Sequence, residues 1–116
     1  MGWWIYLEDE NGKSCEVDSH SEGGVIAIGG SSDAEMSLTY NYSSYYYQYV
    51  DSEKGIQWID GKIGGETLER LMSARNMLTD NPSNNYWEKT PGNAGHALSV
   101  LISWVKQHPS GTWRVH

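Results

Sequence analysis

A chain of 116 residues is long enough for one hydrophobic core and too short for two. Apolar residues make up only 38%, yet six Trp and eight Tyr carry much of the buriable area, so folding needs neither a disulfide nor a metal. Cys15 is the single cysteine, which excludes an internal disulfide and points to a reducing compartment, and no apolar run approaches the ~18 residues of a membrane helix.

The net charge of −7 is unevenly placed. Residues 1–60 hold eleven acids against two lysines, a net of −9, while residues 61–116 hold four acids against six bases, a net of +2. Such a field repels phosphate backbones from the first half, so duplex nucleic acid is disfavoured as a partner and a basic protein surface is attracted. The same acidity also keeps a small protein soluble. Met1-Gly2-Trp3-Trp4 lacks a basic segment followed by an apolar run, so no secretory signal is expected, and Tyr6 stands where myristoylation requires Ser or Thr.

Trp3 to Glu8 reads as a strand, and Asn11-Gly12 after it is a hairpin signal. Ser14 to Asp18 alternates apolar and polar residues, as a half-buried second strand does. Polar residues Ser19 to Gly24 break the pattern, Val25 to Ile28 is a short strand closed by Gly29-Gly30, and Met36 to Tyr42 alternates again. Ser43-Ser44 is suited to cap a short helix from Tyr45 to Val50. Gly55 to Gly61, with Ile56, Trp58 and Ile59, fits a short strand or a tucked loop. After Gly64-Gly65, Leu68, Leu71, Met72 and Leu78 share one helical face. Thr79 to Asn85, with Pro82 and three Asn, is a loop. Thr90 caps the last helix and Pro91 occupies its first position. Its apolar stripe is Ala94, Ala97, Leu98, Leu101, Ile102 and Val105, and Pro109 stops it. Gly111 to His116 is a tail anchored by Trp113. The expected fold is therefore α+β in a single domain: an N-terminal antiparallel sheet of three to four strands packed with two main C-terminal helices and a short one.

Three segments together resemble a group of small uncharacterised proteins of bacteriophages and prophages. They are Leu38-Thr39-Tyr40-Asn41-Tyr42; Glu53-Lys54-Gly55-Ile56 followed by Gly61-Lys62 and Gly64; and Tyr86-Trp87, Thr90-Pro91-Gly92-Asn93-Ala94 leading into Ala97-Leu98. The resemblance runs from about Trp3 to Trp113. It implies a phage accessory protein in the cytoplasm of a bacterial host, of a kind that often counters host defences, and it carries over no functional residues.

Tyr40, Tyr42, Tyr45, Tyr46, Tyr47 and Tyr49 place six tyrosines within ten residues. Tyrosine offers a flat apolar face and a hydroxyl at little entropic loss, which suits protein contacts and base stacking. On a helix Tyr45 and Tyr49 share a face while Tyr46 and Tyr47 point elsewhere, so one core cannot take them all. The competing reading has them cover a small sheet. Strand alternation would send Tyr40 and Tyr42 to one face and Asn41 to the other, where Asn41 would read a ligand amide or satisfy a turn. The helix start at Thr90 favours an anion; Asn93 would add a donor, Lys62 or Lys89 a cation and Trp87 a stacking ring. The plainer reading is a capped helix whose glycines permit close packing. Lys62 precedes Gly64-Gly65 without the residue order of a phosphate loop. His20, His96, His108 and His116 have no metal-binding spacing, and no local nucleophile–base pair occurs, so no cofactor or metal is expected.

These readings favour a non-enzymatic binding protein that inhibits a host defence system. It would dock on a host protein through an acidic, tyrosine-rich surface, or sequester a nucleotide-like signal at the Thr90 helix start. The alternatives are a small enzyme degrading such a signal and a minor virion component. Self-association stays open.

Overall fold

The computed structural model describes residues 2–18, 25–27, 33–85 and 87–116. The fold is α+β. Four strands, β1 (Gly2–Glu8), β2 (Val25–Ala27), β3 (Glu35–Thr39) and β4 (Thr112–Val115), form one antiparallel sheet in the order β2-β3-β1-β4. Three helices accompany it: α1 (Ser43–Tyr49), α2 (Gly64–Leu78) and α3 (Pro91–Gln107). The polar stretch from Ser19 to Gly24 and the Gly29-Gly30 closure lie outside the described residues.

Alternation decides the sheet's inner face. Trp3, Ile5 and Leu7 on β1 are buried, and cross-strand register sets Leu38 opposite Trp3, Met36 opposite Ile5 and Trp113 opposite Leu7. Trp4 and Tyr6 take the opposite face and are half-buried. The two long helices pack against each other and on the inner face. Buried residues occur almost all the way round α3, wider than the stripe expected, and exposed Ser103, Lys106 and Gln107 mark its outer side.

The structure departs from the sequence expectation at Ser14 to Asp18 and at the C-terminal tail. Ser14 to Asp18 makes only isolated bridges, Ser14 to Glu8 and Glu16 to Asp33. The Asn11-Gly12 turn does form, with Gly12 at φ +78 and the Asp9 N–H donating to Lys13 O. A full hairpin ladder does not form, because β3 pairs with Gly2 to Tyr6 on one edge of β1 and β4 holds the other, so the segment reaches only the end of β1, where the Cys15 N–H donates to Leu7 O. The C-terminal tail is that second neighbour: Thr112–Val115 pairs with Ile5 to Glu8, and Trp113 is buried with its indole N–H donating to Thr67 Oγ1.

The outer edge of β4 is closed by the segment before α2. Gly61 N–H donates to Trp113 O, Trp113 N–H to Lys62 O, and Val115 N–H to Asp60 Oδ1. Edge strands invite pairing with other chains, and this one is covered. The ambiguous stretch at 55–61 resolves as a 3-10 turn, Gly55–Ile59, that tucks Ile56 and Ile59 into the core.

Candidate docking surface

β3 stops at Thr39, three residues earlier than its alternation suggests. The Thr39 hydroxyl oxygen accepts the Asn41 N–H, and the Ser43 hydroxyl donates to Tyr40 O. Residues Tyr40–Tyr42 thus close into a 3-10 turn that runs directly into α1, so Ser43 lies inside the helix and Tyr42 takes the cap position. Tyr40 and Tyr42 therefore do not share a strand face.

That turn sorts the tyrosines. Tyr42 and Tyr46 are fully buried, Tyr45 and Tyr49 are half-buried on one side of α1, and Tyr40 and Tyr47 stay 44% and 42% exposed. Tyr40 stands edge-on to Trp3 with ring centroids 4.9 Å apart, and Tyr47 lies over Gly55. The Tyr46 hydroxyl donates to Ala94 O at 3.0 Å, which ties α1 to α3. Burial first, then the neighbouring Tyr42, pushes the Tyr46 hydroxyl well above its ordinary 10.0.

A pH-dependence follows. Below pH 10 the ring is neutral in the folded and the unfolded chain alike. Above it the unfolded ring gives up its proton while the folded one keeps it. Stability then falls by about 1.4 kcal/mol per pH unit until the raised folded value is reached. Tyr46→Phe is expected to lose about 1 kcal/mol at neutral pH with the bond to Ala94 O, and to lack that alkaline decline. Urea titrations of both proteins at about pH 8 and about pH 11 measure it; equal declines would mean the Tyr46 hydroxyl is not sealed.

Asn41 performs the backbone role, over an unexpected distance. Its Nδ2 donates to Trp87 O at 2.7 Å, across 46 residues of sequence. This bond draws the loop between α2 and α3 against the 3-10 turn. Trp87 is held there 45% exposed, and Lys89 Nζ lies 5.8 Å from the Tyr45 ring centroid. Tyr40, Asn41, Tyr45, Trp87 and Lys89 thus meet on one surface. The sequence set the Tyr40–Tyr45 segment and the Trp87–Lys89 segment apart as two candidate sites; the Asn41–Trp87 bond that joins them leaves no mark in it.

Asn93 is the buried scaffold of that loop rather than a reader of ligand. Its Oδ1 accepts the Ser83 N–H at 2.8 Å, and its Nδ2 donates to Glu88 O, Asn85 O and Ser83 Oγ at 2.9 to 3.1 Å. Thr90 caps α3 as expected, its side chain accepting the Asn93 N–H. His96 Nδ1 donates to Asp80 Oδ1 at 2.7 Å and pins the start of the same loop.

The anion site expected at this helix start is roofed over. A Cβ on Gly92 would fall 2.1 Å from Asn81 O, and one on Gly95 would fall 1.6 Å from Thr79 O, so these glycines admit the chain's own backbone and not a ligand. Lys62 is at the other end of α3: Gly64 abuts Val105, fifteen residues beyond Thr90. Its Nζ donates to Trp58 O and sits 4.5 Å from the Trp58 ring, which Arg70 also approaches at 4.0 Å. At the start of α2 the Gly64 and Gly65 N–H groups donate to Gly111 O and Pro109 O, which leaves them no phosphate to bind.

Six carboxylates gather elsewhere. Glu8, Asp9, Glu10, Glu16, Asp33 and Glu35 cluster where β1 ends and β3 begins, with Asp18 tied to the end of α3 through Gln107. Glu8 is paired with Arg114 at 2.8 Å, and Asp9 Oδ1 accepts the Asn11 and Lys13 N–H groups. The tyrosines lie beyond the opposite end, where Gly2 pairs with Thr39. These six carboxylates therefore stand apart from the tyrosines, while Asp51 and Glu53 follow directly on α1, the Asp51 N–H donating to Tyr46 O. Cys15 lies at the acidic end, buried, its thiol pushed up by that burial and by the charges of Asp9 and Glu8, which keeps it protonated and a poor nucleophile.

Among the described residues no cluster of three His, Cys, Asp or Glu side chains could hold a metal, and no helix is long and apolar enough to cross a membrane. Comparison with family models, curated proteins and solved structures returns no match.

Proposed function

We propose that this chain is a binding protein that docks on another protein through the surface built by Tyr40, Asn41, Tyr45, Trp87 and Lys89. One observation carries the reading: the bond from Asn41 Nδ2 to Trp87 O joins two segments far apart in sequence, and each of them leaves an aromatic side chain about half exposed, Tyr40 at 44% and Trp87 at 45%. Exposed Tyr and Trp on a fixed scaffold are what interface anchors require, because little freedom is lost on contact. The resemblance to phage accessory proteins makes a bacterial host protein the partner, and inhibition of a defence pathway the outcome. Sequestration of a nucleotide-like signal has less support, since Lys62 and Thr90 stand at opposite ends of α3 and the helix start is roofed by Thr79 to Asn81.

Tyr40→Ala combined with Trp87→Ala is expected to weaken the complex roughly 1,000-fold, the loss of two anchors of about 2 kcal/mol each. Both rings are about half exposed, so the thermal midpoint should stay within a few degrees. Cross-linking mass spectrometry in the bacterial host provides the readout: links from Lys89 to one host protein, lost in the double variant. Links that persist at full yield would reject this surface.

A further inference from the structure

The two long helices pack on one face of the sheet and leave the other to solvent. The alternation that buries Trp3, Ile5 and Leu7 sends Trp4, Tyr6 and Glu8 to this outer face of β1, and Glu35, Ser37, Thr112 and Arg114 share it on β3 and β4. An antiparallel sheet with one solvated face carries polar residues there. β1, the middle of these three strands, instead carries Trp4 and Tyr6, both half-buried, and the Tyr6 ring stacks on His116 with centroids 5.7 Å apart.

The register sets opposite charges on either side of that aromatic line. Tyr6 pairs with Glu35 on β3 and with Arg114 on β4, so acid and base stand about 10 Å apart across the ring. Arg114 gives its Nε to Glu8 at 2.8 Å, while its two terminal nitrogens and the Glu35 carboxylate take no partner among the described residues. In the next row Trp4 lies between Ser37 and His116. Glu16 and Asp33 continue the acidic side beyond Glu35, and Asp60, on the β4 side, is engaged by the Val115 N–H.

We infer that this face binds a second copy of the chain, with the two sheets stacked and a two-fold axis running along β1. That axis lays Trp4 on the other copy's Trp4 and Tyr6 on its Tyr6. Because it exchanges the two sides of β1, it also sets Glu35 of each copy over Arg114 of the other, so the pair forms twice. The unused nitrogens of Arg114 take the facing carboxylate while Nε keeps Glu8. Strands so related run in one direction, the aligned packing of stacked sheets at about 10 Å. A two-fold axis across the strands would face Arg114 with His116 and Glu35 with Ser37, and would leave both charges without an opposite. Three strands and five residues make a patch of roughly 14 by 17 Å. That is below the standard interface size, so the dimer is weak and concentration-dependent. It uses neither Tyr40 nor Trp87 and stands apart from the docking surface.

Sedimentation equilibrium of the whole chain, from about 10 µM to about 1 mM, should find it half dimeric within that range. Glu35→Arg alone sets Arg over Arg, and Arg114→Glu alone sets Glu over Glu, so each should stay monomeric. An equal mixture of the two should dimerise again, because every facing pair then joins opposite charges. Where Arg114→Glu fails to fold by circular dichroism, Tyr6→Ser keeps both charges and should weaken self-association about tenfold or more. Tyr40→Ala/Trp87→Ala should dimerise as the parent does. A parent that stays monomeric to about 1 mM, or Glu35→Arg and Tyr6→Ser proteins that dimerise as tightly as the parent, overturns the inference. So does a mixture of folded single variants that stays monomeric, or a dimer lost with Tyr40 and Trp87, which would place self-association on the docking surface instead.

Discussion

Gly95→Ala is expected to lower the thermal midpoint by about 10–15 °C, the largest single effect of any conservative change in the protein. Alanine is the better helix former by about 1 kcal/mol, so propensity alone predicts a gain. Packing reverses the sign. The new methyl would lie 1.6 Å from Thr79 O, 2.8 Å from Thr79 C and 3.1 Å from Leu78 Cβ. Two of these are backbone atoms and cannot swing aside as a side chain would. Relief requires α2 and α3 to part where their packing is closest, at an overpacking cost of about 3 kcal/mol or more. Thr79 already holds φ +74, a conformation a β-branched residue adopts only under constraint, so the segment has no slack to give. A melt followed by circular dichroism decides it. A midpoint within roughly 3 °C of the parent would mean that Thr79 does not lie on α3 as described.

Asn93 carries the second large effect, and two substitutions separate its causes. Asn93→Ala removes one acceptor and two amide hydrogens from a buried position that serves Ser83, Asn85 and Glu88. Each lost bond is worth about 1 kcal/mol, but the exposed loop can turn part of its polar groups to water, so about 2 kcal/mol is expected. Asn93→Asp keeps the acceptor for the Ser83 N–H and sets a buried carboxylate against the carbonyls of Asn85 and Glu88. It should destabilise more than alanine does, by about 3 kcal/mol or more. Hydrogen exchange should locate the damage in residues 82–90, where protection falls in both variants while the sheet keeps its own. Because Trp87 rides on this loop, partner binding should weaken with it. An aspartate variant milder than alanine would show that the amide hydrogens do not hold the loop.

The elements with strong local period were legible in the sequence. β1 and β3 alternate, α2 and α3 repeat at helical spacing, and Thr90-Pro91 marks the start of α3 to the residue. Ser14 to Asp18 shows why period alone is insufficient: its alternation is genuine, but β3 and β4 leave β1 room for it only at Leu7 and Glu8, so it makes bridges and no ladder. One of those neighbours is β4, whose four residues carry no signal of their own and find their partner more than 100 residues away in sequence. Asn93 looked like a donor at an open helix start, and only the path of the loop over Gly92 and Gly95 turned it into an internal clamp.

What the sequence determined alone was the inventory: one α+β core, an acidic first half, and more tyrosine in ten residues than one core can bury. Those follow from composition and local period, which act within a few residues. Tertiary structure decided which rings go inside, by ending β3 at the Thr39 cap, and what lies beside the rest, by the Asn41–Trp87 bond. It also set Glu8, Asp9, Glu10, Glu16, Asp33 and Glu35 at the far end of β1 from the tyrosines. Contacts of that kind join residues by distance in space, and a linear pattern holds no record of it.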